Sequence, residues 1–171
     1  MRRTELQISL SALENNLKVI KSYTNASIQG VVKANFYGLY DDKMHEIIEQ
    51  YVDSYAVITI DEAISLRKLT SKPILLFQGV HEQNDYEMIE ENNLDFTIHS
   101  SWQLEGLSNF NLESSRIWLK LNTGMNRLGF NDKDFFIALK EIEILNIKDI
   151  VLMSHLASSE TCLLYTSDAA D

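Results

Sequence analysis

Apolar and polar positions along the chain switch between two periods. Short apolar runs alternate with longer stretches whose apolar residues fall three and four apart, as expected for buried strands alternating with amphipathic helices. Thr4 to Ile8 alternates enough to be a strand, and Ser9 or Ser11 can cap a helix with Leu10, Leu13, Leu17 and Ile20 on one face. Ile28 to Val32 reads as a buried strand. A helix from about Asp42 turns Met44, Ile47, Ile48 and Tyr51 inward, and Tyr55 to Ile58 is a strand. Thr59 and Glu62 have capping-box spacing for a helix through Leu69. Pro73 introduces a strand from Ile74 to Phe77, then a helix spans Asp85 to Asn92. The pattern continues with a strand at Asp95 to Ile98, a helix from Ser100 to about Leu107 and a strand at Arg116 to Leu121. A helix from Asp132 to about Ile144 and a strand from Ile150 to Ser154 close it.

With the first strand set aside, six strands alternate with helices, which argues for right-handed βα units and a parallel sheet. A doubly wound open sheet and a (β/α)8 barrel both fit. No Gly-x-Gly-x-x-Gly follows the first strand of the series, which removes the main support for a dinucleotide fold. The stretches richest in candidate chemistry begin within or just after strands, where a barrel carries its active site. The expected class is therefore α/β, a partial (β/α)8 TIM-type barrel with six of its strands in this chain.

Composition narrows the picture. The 171 residues suffice for one domain with a core, and 45% hydrophobic with 23% charged content is that of a soluble globular protein. A formal charge of −10 argues against nucleic-acid and anionic-membrane partners. No apolar run reaches membrane-spanning length and Met1 to Glu5 lacks a signal-like hydrophobic segment, so a cytoplasmic location is expected. The sole cysteine, Cys162, excludes an internal disulfide, and His45, His81 and His99 lack metal-ligand spacing, so no metal site is expected. The last ten residues, Cys162 to Asp171 (CLLYTSDAAD), match the in-frame translation of a sequencing-library transposon adapter. Native sequence is expected to stop near Glu160, and removing Asp168 and Asp171 takes the charge from −10 to −8.

Candidate chemistry gathers in three stretches. The first is Val31-Val32-Lys33-Ala34-Asn35-Phe36-Tyr37-Gly38. A lysine emerging where a buried strand stops is partly desolvated, which suits its amine to Schiff-base chemistry. Tyr37 can offer a hydroxyl to a phosphate, and Gly38 permits close approach of the backbone. The second is Lys120 to Phe130 (KLNTGMNRLGF), where an Asn-Thr-Gly turn can bring Arg127 back towards Lys120; two cations in one site repel unless an anion sits between them. The third is Met153 to Glu160 (MSHLASSE), in which His155 ends the last strand. Tyr40 and Met125 read as packing residues.

The octet at Lys33 resembles the pyridoxal-phosphate lysine motif of alanine racemases, V-V-K-A-N-A-Y-G-H-G, and the other two stretches match that family in order. The likeness runs from Thr4 to about Glu160. It implies a pyridoxal-phosphate barrel of fold type III, with 1–161 as the N-terminal part of the barrel domain, followed here by the adapter-like tail 162–171, and a C-terminal β domain outside this chain. It also implies pyridoxal 5'-phosphate on Lys33 as a Schiff base, Tyr37, Arg127 and His155 as cofactor-binding residues, and Lys33, Arg127 and His155 as catalytic. Lys120 would be carboxylated to a carbamate that orients Arg127. The implied activity is interconversion of L- and D-alanine, supplying D-alanine for peptidoglycan of the cell wall, in a homodimer whose partner subunit contributes a catalytic tyrosine. The chain by itself would then be inactive. Two departures stand out: Leu39-Tyr40 replaces the family's His-Gly, and Asn122 replaces its usual Asp. Alternatives are a racemase of serine or lysine, a decarboxylase on the same barrel type, or a non-catalytic pyridoxal-phosphate-binding barrel.

Overall fold

A computed structural model describes residues 5–107, 109–110, 115–145, 147 and 149–157. The tail from Cys162 lies outside the described residues. The elements run α1 (Leu10–Tyr23), β1 (Gln29–Val31), α2 (Lys33–Gly38), α3 (Asp42–Tyr51), β2 (Ser54–Val57), α4 (Ile60–Arg67), β3 (Ile74–Leu76), α5 (Asp85–Asn92), β4 (Asp95–Ile98), α6 (Ser101–Leu107), β5 (Ile117–Lys120), α7 (Asp132–Ile144) and β6 (Ile150–Met153). The chain divides into two compact units, Met1–Ile74 and Leu75–Asp171.

In the first unit β1 and β2 pair in parallel, with Gln29 opposite Ser54 and Val31 opposite Ala56. Tyr55 N–H donates to the Pro73 carbonyl at 2.8 Å, which aligns the approach to β3. Tyr55, Ala56, Val57, Ala63 and Ile74 are fully buried. Ser9 caps α1, accepting from Ala12 N–H, and α1 packs on α3 with Leu10, Leu13 and Leu17 half-buried. Ile20, expected on that face, is exposed instead. The expected strand at Thr4 to Ile8 does not form over its described part: Glu5 to Ile8 carry no regular structure and Leu6 is 63% exposed. An alternating pattern becomes a strand only where another strand accepts its hydrogen bonds, and none among the described residues does so.

In the second unit β3, β4, β5 and β6 are neighbours in chain order and every pairing is parallel. A doubly wound sheet would reverse its strand order at a switch point. These strands run on without reversal, as in a (β/α) barrel. Leu75, Leu76, Phe96, Ile98, Ile117 and Leu119 are fully buried, which explains why the strands read as continuous apolar runs. Asn131 caps α7 by accepting from Asp134 N–H at 3.0 Å, so that Phe135, Ala138 and Ile142 face the core.

Candidate active site

Lys33 stands where the first strand lets go. Val32 N–H still bonds the Ala56 carbonyl at 3.0 Å, and half-buried Lys33 follows. The next four residues, Ala34, Asn35, Phe36 and Tyr37, all have φ between +50 and +57°, a left-handed helical turn built from non-glycine residues. Such backbone costs an L-residue roughly 1–2 kcal/mol, and only asparagine tolerates it readily. The surroundings offset this cost. Phe36 is buried, its ring 5.2 Å from Tyr40 and 6.1 Å from His45. Phe36 N–H donates to the Val32 carbonyl at 3.1 Å, and Tyr40 N–H to the Asn35 carbonyl at 3.2 Å. Gly38 continues the positive dihedrals at φ +78°, and a side chain there would meet nothing within 4 Å, so conformation rather than space explains this glycine. Tyr37 is 60% exposed, with the Lys33 Nζ 5.8 Å from its ring centroid, within cation–π range. Tyr40 packs as expected and donates its hydroxyl to Asp42.

A carboxylate holds the far side of Lys33. The expected capping box is present: Glu62 N–H donates to Thr59 Oγ1 at 3.3 Å and Thr59 N–H to Glu62 Oε2 at 3.2 Å. The same carboxylate also accepts from Ile58 N–H at 2.9 Å and, through Oε1, from Ala34 N–H at 2.6 Å. The sequence marks Glu62 as a helix cap and gives no sign of the contact with Ala34.

The second unit holds the other candidates. Lys120 is the last residue of β5 and only 5% exposed. Burial, reinforced by the Arg127 charge, lowers its pKa below the ordinary lysine range. No carboxylate among the described residues pairs with it. The loop after it closes on itself: Phe130 N–H donates to the Lys120 carbonyl at 2.9 Å and Asn122 N–H to the Phe130 carbonyl at 2.8 Å. Asn122 organises the turn, its Oδ1 accepting from Gly124 N–H (3.1 Å) and Asn126 N–H (3.0 Å). The residue that departs from the family's wording is thus the one that shapes this loop. Lys120, exposed Arg127 and exposed His155 line one cleft, which Met125, read as packing, also borders. His155 lies two residues beyond β6, and Leu121 N–H donates to the Met153 carbonyl at 2.9 Å, tying the two strand ends together. His99, just after β4, has its ring nitrogen at 3.1 Å from the Gln78 carbonyl; burial, with the Lys120 charge acting on it as well, lowers its pKa.

Comparison with known proteins places the chain as a whole. A sequence model described as the alanine racemase N-terminal domain matches residues 8–170. The alanine racemase of Wigglesworthia glossinidia brevipalpis is 37% identical over 158 residues, covering 90% of this chain and 44% of that protein. The alanine racemase of Xylella fastidiosa strain 9a5c is 37% identical over 163 residues, covering 94% of this chain and 45% of that protein. The structure of alanine racemase from Acinetobacter baumannii superposes with a TM-score of 0.84 at 27% identity, covering 95% of this chain and 50% of that one. The chain thus spans about half the length of the relatives it matches. Its parallel βα units are those of a partial (β/α)8 barrel, and the chain belongs to the alanine racemase N-terminal-domain family.

Proposed function

We propose that the protein carrying this chain is a pyridoxal-phosphate-dependent amino-acid racemase acting on alanine. The observation that carries this reading is the placing of Lys33: it leaves a parallel strand half-buried, and the backbone on both sides of it is fastened. The residues present fit the cofactor by their chemistry. Lys33 would hold it through Nζ and Tyr37 offers an exposed hydroxyl to a phosphate; the family resemblance, and not a contact between the two units, assigns Arg127 and His155 to the ring hydroxyl or its surroundings. Bound there, pyridoxal phosphate supplies a sink for the electron pair left on the substrate α-carbon when its proton departs.

The chain's own residues then have separable tasks. Lys33 Nζ takes or returns the α-proton on one face. Lys120, buried with no carboxylate beside it among the described residues, is suited to lose its ammonium proton and, as the neutral amine, to add CO2 with release of a second proton, giving a carbamate anion facing Arg127. Arg127 is thereby oriented rather than repelled. Inversion needs a second proton carrier on the opposite face, which we assign, following the family resemblance, to a tyrosine of a partner subunit in a homodimer. D-alanine for the cell wall is the expected use of the product.

Incubating the purified chain with pyridoxal phosphate, reducing with borohydride and mapping peptides tests the assignment. The label is expected on Lys33 ahead of every other lysine and is lost in Lys33→Ala. Even labelling across the lysines would sink the reading. The 171-residue chain itself is expected not to racemise alanine, so robust turnover by it would count against the partner-subunit tyrosine.

A further inference from the structure

The capping box of α4 does more than start a helix. A box needs two reciprocal hydrogen bonds between its Thr and Glu, and both are satisfied within residues 59–62. Glu62 has acceptor capacity beyond that, since an ionised carboxylate can take about four hydrogen bonds. It spends this on two backbone amides outside the box, Ile58 N–H at the end of β2 and Ala34 N–H just after Lys33. The second contact joins residues 28 positions apart and, at 2.6 Å, is the shortest of the four amide contacts this carboxylate and its Thr59 partner make. Ala34 opens the left-handed turn, and the first amides of any helical turn lack partners inside it.

The backbone at Lys33 is therefore clamped on both sides. Val32 N–H is fixed by the Ala56 carbonyl of β2, and Ala34 N–H by a charge-assisted bond to Glu62, whose own place is set by β2 and α4. Without the second clamp, the strained turn at Ala34 has a right-handed alternative of lower intrinsic cost, which would swing the Lys33 side chain away from its direction.

We infer that Glu62 is a positioning residue for Lys33: its carboxylate, by binding the Ala34 amide, holds the left-handed turn that aims the lysine amine. The Thr59 side chain serves the cap of α4 and makes no contact with Ala34 in this arrangement. The inference rests on reading Lys33 as the cofactor lysine.

The test uses the whole 171-residue chain and two readouts. One is the rate at which pyridoxal phosphate and borohydride label Lys33, measured against the chain's other lysines. The other is hydrogen exchange at the Ala34 amide. In Glu62→Gln, one of the carboxylate's acceptor atoms becomes a donor. Lys33 labelling is expected to fall about tenfold, because small misplacements of a reacting group carry penalties of that order or more. Ala34 exchange is expected to accelerate by a similar factor, because the charge-assisted bond is lost and the one remaining amide oxygen is contested by the Ile58 and Thr59 amides. Thr59→Ala, which weakens the cap of α4 while leaving Glu62, should leave both readouts at their original values. If either readout in Glu62→Gln stays unchanged, the inference falls. If Glu62→Gln does not fold, Glu62→Asp, which keeps the charge but shortens its reach, takes its place: the same two changes are expected, and the absence of either overturns the inference. Failure of the parent reading looks different: there the unaltered chain labels Lys33 no faster than its other lysines.

Discussion

Two lysines stand at the exits of two parallel strands, Lys33 two residues past β1 and Lys120 as the last residue of β5, and their surroundings diverge. Lys33 is half-buried and is followed by a left-handed turn whose first amide is tied to a carboxylate from α4. Lys120 is buried, carries a lowered pKa, and is followed by a loop that closes on its own backbone around Asn122. A strand end fixes where a side chain leaves the sheet, and the loop that follows decides what the side chain can do. The first loop is strained and held from outside, which suits an amine that must meet other molecules. The second is self-contained, which suits a charge that must stay put and act on a neighbour such as Arg127.

The contrast can be broken most severely at Gly129. It closes the Lys120 loop at φ +123°, and a Cβ there would sit 2.7 Å from the Asn122 nitrogen. Gly129→Ala is expected to destabilise the chain by about 2–4 kcal/mol in chemical denaturation, since backbone strain and a clash with main-chain atoms combine. Gly38, with open space around it, should tolerate alanine better than Gly129 in the same experiment.

The next largest effect belongs to Lys120 itself. In CO2-free buffer, Lys120→Met should stabilise the chain by about 1–2 kcal/mol, because it removes an unpaired charge from a buried position. The sign of the pH dependence follows from its lowered folded-state pKa. The unfolded chain keeps this proton up to about pH 10.4, the folded chain loses it earlier, and between those limits the unfolded state binds more protons. Stability therefore rises as pH climbs through the folded value towards that limit, and the rise should vanish in Lys120→Met.

The smallest effect sharpens the contrast from the other side. Ala34→Gly relieves a left-handed alanine at φ +50°, so the chain should gain up to about 1 kcal/mol, read as a higher denaturation midpoint. A loss of stability would show that the turn carries no strain at Ala34.

Much of this architecture is legible in the sequence because its determinants are local. The expected bounds of α5 and β4 hold because their apolar runs are contained within a few residues, and α7 starts as expected at Asp132, where the structure adds the Asn131 cap on Asp134. The two strand-end lysines follow from where those runs stop. Features that depend on distant partners are not legible. Nothing in Ala34 to Tyr37 announces positive φ, since the usual glycine signal appears only at Gly38. The reach of Glu62 to Ala34 crosses one whole step of the fold, from just after β1 to the first turn of α4. Thr4 to Ile8 alternates like a strand, yet Glu5 to Ile8 find no partner strand among the described residues. Asn122 looks like a missing carboxylate until its two amide contacts are seen.

The left-handed turn also has a stereochemical consequence. Residues with positive φ and ψ lie where a D-amino acid is at ease and an L-amino acid is not. Ala34 keeps its amide contact to Glu62 through the backbone alone, so the contact does not depend on the hand of its α-carbon. A chain assembled by chemical ligation with D-alanine at position 34 should thus fold to the same turn with its strain removed. At this position the molecule would prefer the mirror image of the residue that translation can supply.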